Sequence, residues 1–340
     1  MKADLLTMKR ITRGVTDIVE ENGAFSFRRF TPEQEAVDDL TGTKERFYKS
    51  RRAASVRLDF ITDSPFLSLE YSDSPRRPKG GVYAFDLYLD GVLASHKGFT
   101  LPEEIPETEP DPAESHPEFS VRFELGEGKK HVELYFAALK YTRIKYVELA
   151  DGALIEDAPR QKNLLILGDS ITEGVYSDYP SMIYANVLGR MLDREIRNHG
   201  ISGEKFFGNK IVPGSYGKVD AVLVAYGTNG RNNPPLHQKG LEEFMEKLDR
   251  EFPDVPVFIS LPIYRIGEEV QEGVILLADA RKNIAREAAK YPRFHVIDSS
   301  RFVPHDPGFY RDGLHPIDLG HVLLATGLAA AMKPILDAGE

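Results

Sequence analysis

The hydrophobic pattern of this chain changes its period once, and that change constrains the fold more than any other feature. Up to about residue 150, apolar residues recur at every second position between clusters of turn formers, the mark of half-buried strands. Val56, Leu58 and Phe60 make one such face, and Tyr83, Phe85, Leu87 and Leu89 make a second. Asp90-Gly91 supplies a hairpin turn into Val92-Leu93. Phe119, Val121, Phe123 and Leu125 form another run, followed by Val132, Leu134 and Phe136 beyond the turn at Gly126 to Gly128. Several short strands at this spacing predict a β-sandwich. From Asn163 onward, short apolar strands alternate with helical segments, which predicts a parallel sheet covered by helices on both faces. Leu164–Leu167, Val219–Ala225 and Val257–Leu261 are the clearest strands. The helices are expected after Pro180 and over Gly240–Glu251, Val274–Lys290 and Asp318–Met332.

A chain of 340 residues is too long for one ordinary core and suits two domains. Gly, Asp, Pro and charged residues replace the alternation between Asp151 and Gln161, so the expected domains are 1–155 and 156–340. Between Pro102 and Pro117 lies a stretch rich in Pro and Glu that can neither pair in a sheet nor bury itself, read as an exposed loop, with a lid or a partner contact as its functional reading.

A formal net charge of -10 argues against nonspecific nucleic-acid binding, which draws its affinity from clustered Lys and Arg. The absence of cysteine removes disulfides, thiolate catalysis and Cys-based zinc sites. Met1 to Glu20 lack the continuous apolar segment of a signal peptide, and no stretch approaches the roughly 20 apolar residues that span a bilayer. The expectation is a cytoplasmic protein with no membrane partner.

Chemistry concentrates where Leu164-Leu165-Ile166-Leu167 runs into Gly168-Asp169-Ser170, with Gly174 close behind. A buried strand there delivers a serine onto a tight turn, beyond the carboxyl end of the strand where sites of open α/β sheets form. Taken alone, the three residues also read as a strand-to-helix turn with Asp or Ser as the cap. A phosphate loop would need a lysine that the segment lacks.

A serine hydroxyl is a poor nucleophile near neutral pH and needs a base held by a third group. Of nine histidines, His315 in Arg311-Asp312-Gly313-Leu314-His315-Pro316 has an acid three residues before it, just ahead of the last helix. A three-residue turn can bring the Asp312 carboxylate to the imidazole. His305, next to Asp306, and His321, inside the last helix, are the competing bases. Two further loops offer donors to an oxyanion: Gly203, after a strand at Glu195–Asn198, and the Asn229 side chain in Tyr226-Gly227-Thr228-Asn229. Turn formation by Gly and Asn is the alternative reading of both.

Ser170, Gly203, Asn229 and His315, in this order, closely resemble the four blocks of the SGNH (GDSL-type) serine hydrolase superfamily, spanning Leu164 to His321. The resemblance implies a three-layer α/β/α parallel-sheet domain with Ser170 as nucleophile, His315 as base and Asp312 as its partner. It makes Ser170, Gly203 and Asn229 the oxyanion hole. The third block usually continues Gly-x-Asn-Asp, whereas Gly230 stands here in place of the acid. Gly168-x-Ser170-x-Thr172-x-Gly174 and Phe85-Asp86-Leu87-Tyr88 look like a bacterial subgroup with an N-terminal, jelly-roll-like sandwich, related to carbohydrate esterases. That resemblance implies a serine esterase for short-chain, acetyl esters on carbohydrates, with no cofactor and no metal. Its partner is then a small-molecule or oligosaccharide ester, and the sandwich is a candidate cleft wall or homo-oligomer interface. The alternatives are a lipase or thioesterase for longer chains, or an inactive carbohydrate-binding relic. Tyr176 and Tyr179 are candidate pocket residues, with plain packing as the other reading.

Overall fold

Alternating residues bury one side chain in two, so the strands of the first half must pair sheet against sheet, and the computed structural model has this arrangement. It describes residues 1–37, 45–72, 84–98, 118–267 and 274–339. The chain forms two units: residues 1–31, 39–160 and 178–181, and residues 32–38, 161–177 and 182–340.

The first unit opens with α1 (Leu5–Ile11), whose cap Asp4 accepts a hydrogen bond from the Thr7 N–H at 2.8 Å. Then come β1 (Thr12–Arg13), β2 (Asp17–Glu21) and β3 (Ala24–Arg28). The two-residue turn joining β2 to β3 has Asn22 at φ 52° and Gly23 at φ 71°, the left-handed pair that twists a tight hairpin correctly. This hairpin escaped the sequence reading because both strands are short and Glu20-Glu21 breaks the alternation. After α2 (Pro32–Glu35), a single turn grouped with the second unit, come α3 (Glu45–Ser50), β4 (Arg57–Thr62) and β5 (Phe66–Ser72). The strands β6 (Ala84–Leu89), β7 (Val92–Gly98), β8 (Glu118–Glu124), β9 (Lys130–Tyr135), β10 (Arg143–Glu148) and β11 (Ile155–Asp157) complete it.

Two antiparallel sheets result, one in the order β1-β4-β9-β6-β7 with β11 on β4, the other in the order β2-β3-β10-β5-β8. Both contribute to one core that includes Leu58, Phe60, Phe85 and Leu134 from the first sheet and Phe27, Leu69, Phe123 and Ile144 from the second. Edge-on aromatic contacts, such as Phe85 with Phe136 at 5.6 Å between ring centres, knit this core. Pairing of Ile155 with Thr62 and Asp157 with Phe60 carries the first unit past residue 155 to Arg160. Tyr83 and the Pro102–Pro117 stretch lie outside the described residues.

In the second unit β12 (Lys162–Gly168) is an inner strand, and Leu164, Leu165, Ile166 and Leu167 are all buried, as a strand covered on both faces demands. It is followed by α4 (Ser170–Glu173), α5 (Tyr184–Leu192), β13 (Arg194–Gly200), β14 (Ala221–Ala225) and α6 (Pro234–Glu251). β15 (Val257–Ser260), α7 (Leu277–Ala288), β16 (Phe294–Ile297) and α8 (Asp318–Ala338) end the chain. The sheet is wholly parallel in the order β13-β12-β14-β15-β16. Successive connections leave β12 in opposite directions, which opens a crevice at its carboxyl end.

On one face Leu165, Leu167, Val222, Val224 and Ile259 pack with Leu241, Phe244 and Leu248 of α6 and Ile284 of α7. α6 begins six residues before the expected Gly240, because Pro234 at the first helical position needs no N–H partner and Asn233 caps the turn. α8, against the expectation, is long and apolar enough by length and composition to cross a membrane, with a mean hydropathy of 1.5 over its apolar window. Charged residues near its ends, Asp318, Lys333 and Asp337, break the apolar run that the sequence reading required. Leu324, Ala325, Leu328, Met332 and Leu336 of α8 are buried in this unit, where the helix packs with α5.

Candidate active site

The strand β12 ends at Gly168, and Asp169 at once caps α4 by accepting the Ile171 N–H at 3.0 Å. Ser170 therefore starts a helix, where first-turn N–H groups have no partner within the helix. Only glycine fits at 168, since a Cβ there would stand 1.9 Å from Thr172 Oγ1. Gly174 closes the turn at φ 97°. The turn that carries Ser170 is thus set by local sequence.

His315 lies 145 residues further on, and its Nε2 stands 2.8 Å from Ser170 Oγ. Its Nδ1 stands 2.9 Å from Asp312 Oδ2. The other carboxylate oxygen of Asp312 accepts the backbone N–H groups of Leu314 at 3.1 Å and His315 at 2.9 Å. Burial tends to raise the Asp312 pKa, but the His315 N–H, the imidazole and the Leu314 N–H outweigh it and hold the carboxyl below the usual range. Tyr176, at φ 68°, packs edge-on against His315 with ring centres 5.5 Å apart. The serine is 8% exposed, so the line of three groups sits at the surface of the unit without being open to bulk water.

The competing histidines are engaged elsewhere. His305 stacks on Tyr264 with ring centres 4.1 Å apart, and its Nε2 lies 2.9 Å from the Ser300 carbonyl. His321 is wholly buried, where loss of solvation and the nearby His315 push its pKa down to about 3.

The other two expected loops follow β13 and β14, the immediate neighbours of β12. Gly203 is an exposed residue at φ 87° in a turn closed by the Glu204 N–H on the Ile201 carbonyl at 3.1 Å. Asn229 Nδ2 donates to the Glu204 carbonyl at 3.1 Å and to Asp169 Oδ2 at 3.4 Å. Gly230, where an acid is usual, has φ 77°, and a Cβ there would meet Lys205 Cδ at 2.9 Å. Asn229 is held from Asp169 and Glu204 instead. Tyr179 belongs to the first unit, where it packs on His96 with ring centres 4.0 Å apart. Among the described residues no three His, Asp or Glu side chains converge as a metal-binding group.

Sequence reasoning missed two buried acids around this turn. Burial, reinforced by the neighbouring Glu173 and Glu204, pushes Asp169 up to about 7 despite the Ile171 N–H. Glu173 is wholly buried and takes hydrogen bonds from Ser202. Both stood inside the motif, but only the tertiary contacts reveal what they hold.

A doubly wound α/β domain with a serine at the switch point, beside a histidine and an aspartate, defines the class of SGNH-type hydrolase folds. Residues 166–323 match the model of the GDSL-like Lipase/Acylhydrolase family. No curated protein matches the sequence. Among solved structures, a salicylyl-acyltransferase from a tetracycline biosynthetic pathway is similar at 20% identity, covering 95% of this chain and 94% of its own, with a TM-score of 0.79. An inferred GDSL-like lipase from Bacteroides ovatus also shares 20% identity, over 97% of both chains, with a TM-score of 0.75. A family two carbohydrate esterase from Clostridium thermocellum, in complex with cellohexaose, shares 16% identity over 84% of this chain and 94% of its own, with a TM-score of 0.61.

Proposed function

We propose that the protein is a serine esterase that hydrolyses short-chain, acetyl esters, with carbohydrates as the acylated alcohol. The observation that carries this reading is His315 bridging Ser170 at 2.8 Å and Asp312 at 2.9 Å. Neutral His315 takes the Ser170 proton as Oγ attacks the ester carbonyl, and Asp312 fixes the tautomer that leaves Nε2 free to accept it. The oxyanion meets the N–H of Ser170, the N–H of Gly203 and the amide of Asn229, whose 3.4 Å contact to Asp169 is the weaker of its two. Collapse expels the alcohol, which takes the proton from His315. Water, deprotonated by the same imidazole, then attacks the acyl-serine, and the acid leaves as Ser170 regains its proton.

The family match supports acyl chemistry, and the fold likeness to the carbohydrate esterase supports the sugar ester. Short acyl chains are favoured because the long apolar segment α8 packs into the second unit through Leu324, Leu328 and Met332 and does not serve as a lipid-facing lid. The test is turnover of p-nitrophenyl acetate and a panel of acetylated sugars by wild type and Ser170→Ala. The variant should lose activity by several orders of magnitude, about a million-fold in the best-studied triad. Fluorophosphonate should label Ser170 covalently in wild type. An unlabelled wild type, or near-normal turnover by Ser170→Ala, refutes the assignment. Release of free acid in the presence of added alcohols separates hydrolysis from acyl transfer.

A further inference from the structure

Glu173 is an expensive choice for its position. It ends the four-residue helix that Ser170 begins, and no part of it reaches solvent. An apolar side chain would fill a dry position at less cost, because burying a carboxyl group without compensating hydrogen bonds is strongly unfavourable. What the carboxyl holds explains the choice. Glu173 Oε2 accepts the Ser202 N–H at 2.8 Å and also the Ser202 hydroxyl.

Ser202 lies one residue before Gly203, so the peptide that follows this double anchor is the one whose N–H the esterase reading assigns to the oxyanion. Two more contacts fix the same turn: the Ile201 N–H donates to the Gly168 carbonyl at 3.1 Å, and the Glu204 N–H to the Ile201 carbonyl at 3.1 Å. The end of β13 also presses directly on α4, since a Cβ at Gly200 would lie 2.5 Å from the Glu173 nitrogen. Asn198 Nδ2 reaches the Thr172 carbonyl at 2.7 Å from the same strand. Among these contacts, only Glu173 grips the turn next to Gly203 with an acidic side chain.

We propose that Glu173 is a positioning residue: it binds the turn at Ser202 so that the Gly203 N–H points to where the oxyanion forms, locking that donor to the helix carrying the nucleophile. The inference rests on the esterase reading and adds a residue to it. Preorganised donors act on the transition state and hardly on the ground state, so loss of this brace reads out in kcat.

The test compares wild type with Glu173→Gln and Ser202→Ala on p-nitrophenyl acetate, with phenylboronic acid as a tetrahedral mimic. Glu173→Gln keeps the size of the side chain but replaces the carboxyl group by an amide, whose oxygen is a weaker acceptor for the two Ser202 donors and whose other terminus is a donor. Its kcat should fall by about 10- to 100-fold, less than the 10²–10³ typical of removing a donor outright. KM should stay within about twofold, and the boronate inhibition constant should rise by the factor by which kcat/KM falls. Ser202→Ala removes only the hydroxyl and should move the same quantities in the same direction by roughly 3- to 10-fold, about one hydrogen bond. It also tests the brace if Glu173→Gln fails to fold, which thermal melting reports. Wild-type kcat and boronate affinity in the folded variants would overturn the inference, as would a raised KM with unchanged boronate affinity. An inactive wild type overturns the esterase reading and this inference together, whereas an active wild type with unaffected variants overturns this inference alone.

Discussion

Replacing His321 by Gln should change the pH dependence of stability in a way that can be worked out from the structure. His321 is fully buried on α8, its Nδ1 accepts the Tyr184 N–H at 3.3 Å, and its ring lies parallel to that of Tyr184. Burial and the neighbouring His315 lower its pKa from 6.5 to about 3. In the unfolded chain the imidazole takes up a proton below about 6.5, whereas the folded protein refuses it until about 3. The unfolded state thus binds more protons throughout that window, and stability is lost as pH falls through it. Each unit is worth about 1.4 kcal/mol, so lowering the pH from 7.5 to 4.5 should cost wild type roughly 3 kcal/mol at this residue.

Asp169 works in the opposite sense, since its raised pKa lets the folded state hold a proton that the unfolded chain releases between 3.8 and about 7. The two contributions largely cancel in the wild-type curve, which is why a comparison is needed. Gln can still accept the Tyr184 N–H but does not titrate, so the difference in unfolding free energy between wild type and His321→Gln isolates the histidine. Urea unfolding at pH 7.5, 6.5, 5.5 and 4.5 measures it. The difference should shift by roughly 3 kcal/mol in favour of the variant toward acid. A difference constant to within about 0.5 kcal/mol would refute the reasoning, because it would mean that the folded protein protonates His321 as readily as water does.

Asp312→Asn should leave KM near its wild-type value and lower kcat steeply, by about 10⁴ if it behaves as in the best-studied triad. The amide puts a donor opposite His315 Nδ1 and favours the tautomer that cannot take the serine proton; steady-state kinetics with p-nitrophenyl acetate reads this directly. Gly200→Ala forces a Cβ to within 2.5 Å of the Glu173 nitrogen and 2.8 Å of the Thr172 carbonyl carbon, both backbone. It should destabilise the protein by about 1–3 kcal/mol, measured as a lower urea midpoint; an unchanged midpoint would show that β13 and α4 separate freely.

The two hydrophobic periods announce two sheets of different kind, because period two exposes one face of a strand and a continuous apolar run exposes none. The turn at Gly168-Asp169-Ser170 was legible because glycine and a capping aspartate act within a few residues, and so was the pairing of Asp312 with His315 across a single short turn. The sequence also determined that a serine would stand on the turn just beyond the strand Leu164–Leu167. It did not determine which histidine meets it: His305, His315 and His321 all lie within 17 residues of one another in the chain. Packing separated them, by burying His321 on the inner side of α8 and stacking His305 on Tyr264. Likewise, Glu173 and Asp169 look like ordinary polar residues of a turn, and Asn229 like a turn former. Only when β13 and β14 close on either side of β12 do those carboxyl groups become buried and Ser202 and Asn229 come within reach. Local backbone preferences act over a few residues and can be read in order along the chain. Burial and hydrogen bonding between loops some 30 to 60 residues apart depend on how the strands are ordered in the sheet, which is a property of the folded state alone.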